Sequence, residues 1–178
     1  MTTTKDLRHI VRIKAKPGAV YDALMDSEKH ASFTGAPAKI SRKVGGAFRA
    51  HGAHLKGLNV DLTKNKRIVQ AWRASSWPKG HFSIVTFDLK PTRGGTVLEF
   101  THVGIPSQRL RSINYGWKNY YWKPLKAAGE EITTLNRARR AGAPRRRAPP
   151  NRSDERAPCV RGSPVPRATA RRRAIPAP

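Results

Sequence analysis

The sequence predicts an α+β domain in which a curved antiparallel sheet of about seven strands wraps on a long C-terminal helix. Three observations carry this expectation. Short runs of alternating apolar and polar residues recur from Ala47 onward to His102, with turn signals between them, the pattern of an antiparallel meander. One strand-like run and two short helical stretches precede them. After them, Leu110, Ile113, Trp117, Tyr121, Leu125 and Ala128 step by three or four residues and draw one apolar stripe along a helix.

Residues 7–14 read as the first strand, with Val11 and Ile13 on one face. Pro17 suits the first turn of a helix, where its missing N–H has no partner to lose. Val20 and Leu24 are four apart and share a helix face. Asp26 or Ser27 caps a second short helix running toward Phe33, and Gly35 and Pro37 break it. Gly45-Gly46 announces a strand at 47–51, in which Phe48 and Ala50 alternate. Leu58, Val60 and Leu62 alternate through the next strand, and Asn65-Lys66 turns it back. Ile68, Gln70, Trp72 and Ala74 then share one face of a strand; Val69, Ala71 and Arg73 share the other. Trp77-Pro78-Lys79-Gly80 is a turn. Val85, Phe87 and Leu89 line one side of a strand at 82–89. Arg93-Gly94-Gly95 leads into 96–102, where Leu98 and Phe100 alternate with Val97 and Glu99. In the final helix, Pro124 deletes the bond its N–H would make to Tyr120 and predicts a bend. Ile132 and Leu135 continue the stripe weakly past Gly129.

Composition divides the chain. Of 178 residues, 36 are Lys or Arg and 11 are Asp or Glu, for a net charge of +25. Through Lys126 the balance is +16; the remaining 52 residues carry +9, no Lys, no aromatic residue and 8 of the 14 prolines. Such a segment lacks the apolar area to offset its ordering entropy. The expected organisation is a folded domain at 1–128, a helix extension at 129–142 and a disordered Arg/Pro/Ala-rich tail at 143–178. Arg145-Arg146-Arg147 and Arg171-Arg172-Arg173 are its densest basic spots. Two readings of the tail compete: an arm that grips the phosphates of nucleic acid, and a solvated or out-of-frame extension without a role. One cysteine, Cys159, excludes a disulfide framework and a Cys-based zinc site. No apolar run is long enough to span a membrane, and the N-terminal residues lack a signal-peptide core, so a cytoplasmic location is expected.

At this level particular residues become recognisable. Phe33-Thr34-Gly35-Ala36-Pro37-Ala38, Val44-Gly45-Gly46-Ala47-Phe48 and Ile68-Val69-Gln70-Ala71-Trp72-Arg73 occur in that order. Ser76-Trp77-Pro78-Lys79-Gly80-His81-Phe82, Val103-Gly104-Ile105-Pro106 and Gly116-Trp117-Lys118-Asn119-Tyr120-Tyr121-Trp122 follow them. Over roughly residues 7–128 this set resembles the family called activator of heat-shock protein 90 ATPase homologue 1-like. The resemblance implies the helix-grip fold of the START-like (SRPBCC) superfamily. It implies, as partner, a chaperone of the heat-shock protein 90 type, through likeness to the C-terminal of the eukaryotic activator's two domains. It also implies a small hydrophobic ligand held between sheet and helix. Some superfamily members are cyclases or aromatases, which keeps an enzyme in view. The family's last helix begins with acidic residues, whereas Pro106-Ser107-Gln108-Arg109-Leu110-Arg111-Ser112 has none. A contact made through those acids does not carry over.

No phosphate-loop, zinc-hydrolase, serine-hydrolase or dinucleotide motif occurs. No cofactor and no metal are expected. His51 and His54 are three apart near a turn, as a ligand pair or as surface histidines. Glu99 and His102 are the weak catalytic candidates: Glu99 if it points inward with its pKa raised by burial, His102 as a general base at the cavity mouth. The alternatives are an outward Glu99 paired with a cross-strand cation and a structural His102. Trp72, Phe87, Phe100, His102, Trp117 and Tyr121 are the candidate cavity residues. Trp77, Lys79 and His81 form a candidate partner-binding loop, unless Trp77 folds back over the sheet end. The leading expectation is a non-enzymatic, chaperone-associated or ligand-binding domain. A cyclase or dehydratase using the same cavity, and nucleic-acid binding through the tail, are the alternatives.

Overall fold

The computed structural model describes residues 2–142; the expected disordered tail, its arginine clusters and Cys159 lie outside the described residues. Strand β1 (Thr4–Ile13) is followed by helices α1 (Pro17–Met25) and α2 (Ser27–Thr34). Six strands follow: β2 (Lys39–Ile40), β3 (Ala47–Ala50), β4 (Leu55–Thr63), β5 (Arg67–Ala74), β6 (Ser83–Thr92) and β7 (Gly95–Pro106). All pairings are antiparallel, in the order β1-β7-β6-β5-β4-β3-β2. The chain then enters a 3₁₀ turn (Ser107–Arg109), helix α3 (Leu110–Gly116), a π-helical segment (Trp117–Trp122) and helix α4 (Lys123–Gly142).

Local chemistry sets these boundaries. Pro17 opens α1. The Asp26 carboxylate accepts from the N–H groups of Glu28 and Lys29 and so caps α2. Gly35, at φ 68°, closes α2 in the left-handed conformation. The helices and the inward sheet face enclose one core, with Val11, Ile13, Phe48, Ile68, Val85, Leu89, Leu98 and Phe100 contributed by the strands. Gly129 of α4 lets the helix approach β1 closely: a Cβ there would lie 2.8 Å from Ile13 Cγ2.

Three elements depart from expectation. In β4, Leu55, Gly57 and Asn59 face inward, so Leu58 and Val60 point outward and are exposed; a bulge between Asn59 and Asp61 then shifts the register and turns Leu62 toward the core. Asn59 donates to the carbonyls of Ser41 and Lys43 and accepts from Gln70 Nε2 at 3.0 Å. The burial of an amide is thereby compensated. The irregularity that Pro124 announces takes the form of a π-helical segment just before it, where the Lys123 N–H reaches back five residues to the Lys118 carbonyl. The wider turn accommodates a proline ring that would otherwise press on the Tyr120 carbonyl. Helix α4 runs through the expected extension at 129–142, but the apolar stripe does not reach Leu135, which is exposed.

Candidate functional site

The wide turn of the final helix places three consecutive-face aromatics, Trp117, Tyr121 and Trp122, in the core. Each is latched to a histidine from a different element. Trp117 Nε1 donates to His102 Nδ1 of β7 at 3.0 Å, and Trp122 Nε1 donates to His9 Nδ1 of β1 at 2.7 Å. The Tyr121 hydroxyl lies 2.9 Å from His30 Nε2 of α2. Trp122 and these two partners, His9 and His30, were not singled out by the sequence. A 3.6-residue period places only one of positions 121 and 122 indoors, whereas the π segment buries both.

His102 is fully buried, and its protonation follows from its neighbours. An indole N–H only donates, so Nδ1 carries no proton. The Ser83 hydroxyl donates to the Trp72 carbonyl at 3.0 Å, so the His102 Nε2–H donates to Ser83 Oγ at 2.7 Å. Both ring nitrogens are engaged, and burial pushes the pKa down to about 3. His30 is driven down to about 4, chiefly by burial and secondarily by the charge of His51. Burial raises the pKa of the Tyr121 hydroxyl. These groups are neutral structural pins at neutral pH. Glu99 lies on the outer sheet face, where it meets Lys90 Nζ at 2.6 Å. That is the cross-strand pairing weighed against catalysis, and it removes Glu99 from the interior.

A cleft of about 440 Å³ opens between β4–β5 and the final helix. Trp72, Trp117 and Tyr121 wall it, together with Leu55, Ile113 and Trp77. Phe87 does not line it and instead borders a 20 Å³ space deeper in the core. Phe100 and His102 pack solidly behind it, Phe100 with its ring centroid 4.4 Å from that of Trp117. Of the six candidate cavity residues, the structure therefore brings three to the cleft. The rim carries His51, His54, Arg109, Ser112 and Tyr120. His54 Nδ1 is 2.8 Å from Ser75 Oγ, and the His51 ring leans on Tyr121. The two histidines do not complete a metal site: among the described residues, no group of three His, Cys, Asp or Glu side chains is placed to hold an ion.

Of the two readings of the Trp77 turn, partner presentation and folding back over the sheet end, the structure has Trp77 buried, with 4% of its surface exposed. Its ring packs edge-on against Trp72, at 5.3 Å. Arg73 holds the turn by donating to the Trp77 and Pro78 carbonyls. His81 is tied to the Gly104 carbonyl at 2.8 Å, which leaves Lys79 as the exposed member of the three. Among the described residues no helix is long and apolar enough to cross a membrane.

The human activator of 90 kDa heat shock protein ATPase homolog 1 is 34% identical over 110 residues, covering 62% of this chain and 32% of the human protein. The chain thus spans about a third of the length of that relative. An HSP90 activator from Plasmodium falciparum superposes with a TM-score of 0.66 at 22% identity, covering 69% of this chain and 94% of that one. The Aha1 dimer from Colwellia psychrerythraea gives a TM-score of 0.62 at 22% identity, over 71% of this chain and 96% of its own. These superpositions support the helix-grip architecture seen in this chain, a seven-stranded antiparallel sheet with a C-terminal helix. The family model described as activator of Hsp90 ATPase homolog 1-like protein matches residues 14–130, and the chain belongs to that family.

Proposed function

We propose that the chain is a non-enzymatic binding domain that associates with an Hsp90-type chaperone and holds a small apolar ligand in the sheet–helix cleft. The observation that carries the ligand half is the cleft itself: about 440 Å³, walled by three tryptophans, within the size range of small-molecule sites. Apolar burial supplies the affinity there, at about 25 cal/mol per Å². Family membership supports the chaperone half, since the relatives' names describe activators of that ATPase. The enzyme reading finds little support. Glu99 is ion-paired on the outer face, and both nitrogens of His102 are taken. The nucleic-acid reading rests on residues outside those described.

The test uses the full chain immobilised against a purified Hsp90-type chaperone with ATP, with chaperone retention and ATP turnover measured in parallel. Retention of the chaperone is expected. An absence of retention with and without nucleotide overturns the chaperone half. The ligand half is tested separately, by a variant that fills the cleft. Gly116 lines the cleft, and a Cβ there meets no atom within 4 Å. Gly116→Leu therefore starts a bulky side chain in open space on the cleft lining, and is chosen to occupy the cleft.

A further inference from the structure

We propose that the cleft selects an aromatic carboxylic acid: a flat apolar body bearing one anionic head. This deepens the small-ligand half of the reading above and rests on it. The walls are flat indole and phenol faces, Trp72, Trp117 and Tyr121. They suit a planar body better than a branched one. No Asp or Glu lines the cleft, and the one permanently charged group on it is the Arg109 guanidinium. Among the described residues no carboxylate pairs with Arg109. Among the described residues its guanidinium has one hydrogen-bond partner, the Ser76 carbonyl, at 3.5 Å, the outer limit of a hydrogen bond.

The guanidinium asks for an oxygen acceptor, and a carboxylate supplies one. A neutral hydrocarbon does not, and an amine is repelled by Arg109. The Trp77 indole N–H, which has no acceptor among the described residues, is closed off from the cleft and takes no part in this contact. At the rim, His51 and Ala53 hold left-handed backbone conformations (φ 50° and 71°), uncommon for residues with a Cβ, and the His51 ring leans on Tyr121.

The experiment measures binding of 2-naphthoate and its uncharged analogue 2-naphthamide to the full chain by calorimetry. Wild type, Arg109→Gln and Gly116→Leu are compared. The acid is expected to bind about tenfold more tightly than the amide, an advantage that added salt reduces. Arg109→Gln erases that advantage and leaves the amide unchanged; Gly116→Leu abolishes both. Equal affinities for acid and amide, or an acid affinity indifferent to Arg109→Gln, overturn the anion selection and leave the apolar-ligand reading standing. Binding of neither compound overturns both.

Discussion

Buried histidines make acid sensitivity of the fold the sharpest quantitative consequence of the structure. In the unfolded chain His102 and His30 titrate near 6.5; in the folded protein burial holds them at about 3 and about 4. Because the folded pKa values lie below the unfolded one, the unfolded chain takes up protons first as pH falls. The stability is fully present above about pH 6.5 and is lost progressively toward the folded values. At about pH 5 each histidine costs about 2 kcal/mol, about 4 kcal/mol together, a large part of a typical domain's stability. His9 and His51 are also shifted down by burial and act in the same direction. The assay is urea denaturation of the full chain at steps from about pH 8 to about pH 5. The comparison variant is His102→Gln, whose amide can accept from Trp117 and donate to Ser83 without titrating. It should lose about half of the wild-type pH dependence, whatever its absolute stability. A wild-type midpoint that stays flat over that range, or an equal slope in both proteins, refutes the assignment of neutral, buried pins.

Four further substitutions probe the packing, each read by denaturation. Trp77→Ala should cost about 3–5 kcal/mol as a core truncation; a change within about 0.5 kcal/mol restores the exposed-loop reading. Asn59→Leu strands Gln70 and two backbone carbonyls, and should cost about 1–3 kcal/mol for each group left unpaired. Gly129→Val drives a side chain into Ile13 and should destabilise by about 1–3 kcal/mol. Gly116→Ala, in contrast, meets no neighbour and should stabilise the helix by up to about 1 kcal/mol.

Much of the fold was legible because periodicity and turn chemistry agreed. Pro17, Asp26 and Gly35 punctuate the two short helices where their backbone chemistry requires. The inward faces of β5, of β6 through Leu89 and of β7 through His102 follow alternation. Alternation misled in β4: in Leu58-Asn59-Val60-Asp61-Leu62 the buried residue is the polar one, and a bulge that leaves no mark in the run puts Leu62 on the opposite face from Leu58 and Val60. The final helix shows the same limit. Pro124 signalled an irregularity, but its form, a π segment that brings Trp122 indoors beside Tyr121, depends on the indole bonds to His9 and His102. Those bonds join residues 113 and 15 positions apart, which no local pattern records. The site was legible in its aromatic walls, Trp72, Trp117 and Tyr121. Its polar end was not. Arg109 counted only as a missing acid, and the burial of Trp77 rests on Arg73 gripping the turn from the neighbouring strand.

The central claim is that the space between the sheet and the final helix is a binding site. Native mass spectrometry of the full chain, purified under gentle conditions, tests it most directly when run beside Gly116→Leu. A small-molecule adduct on the wild type that is absent from the variant is the expected result. A bare wild-type mass that no added aromatic acid or amide changes, or an adduct carried equally by Gly116→Leu, contradicts it.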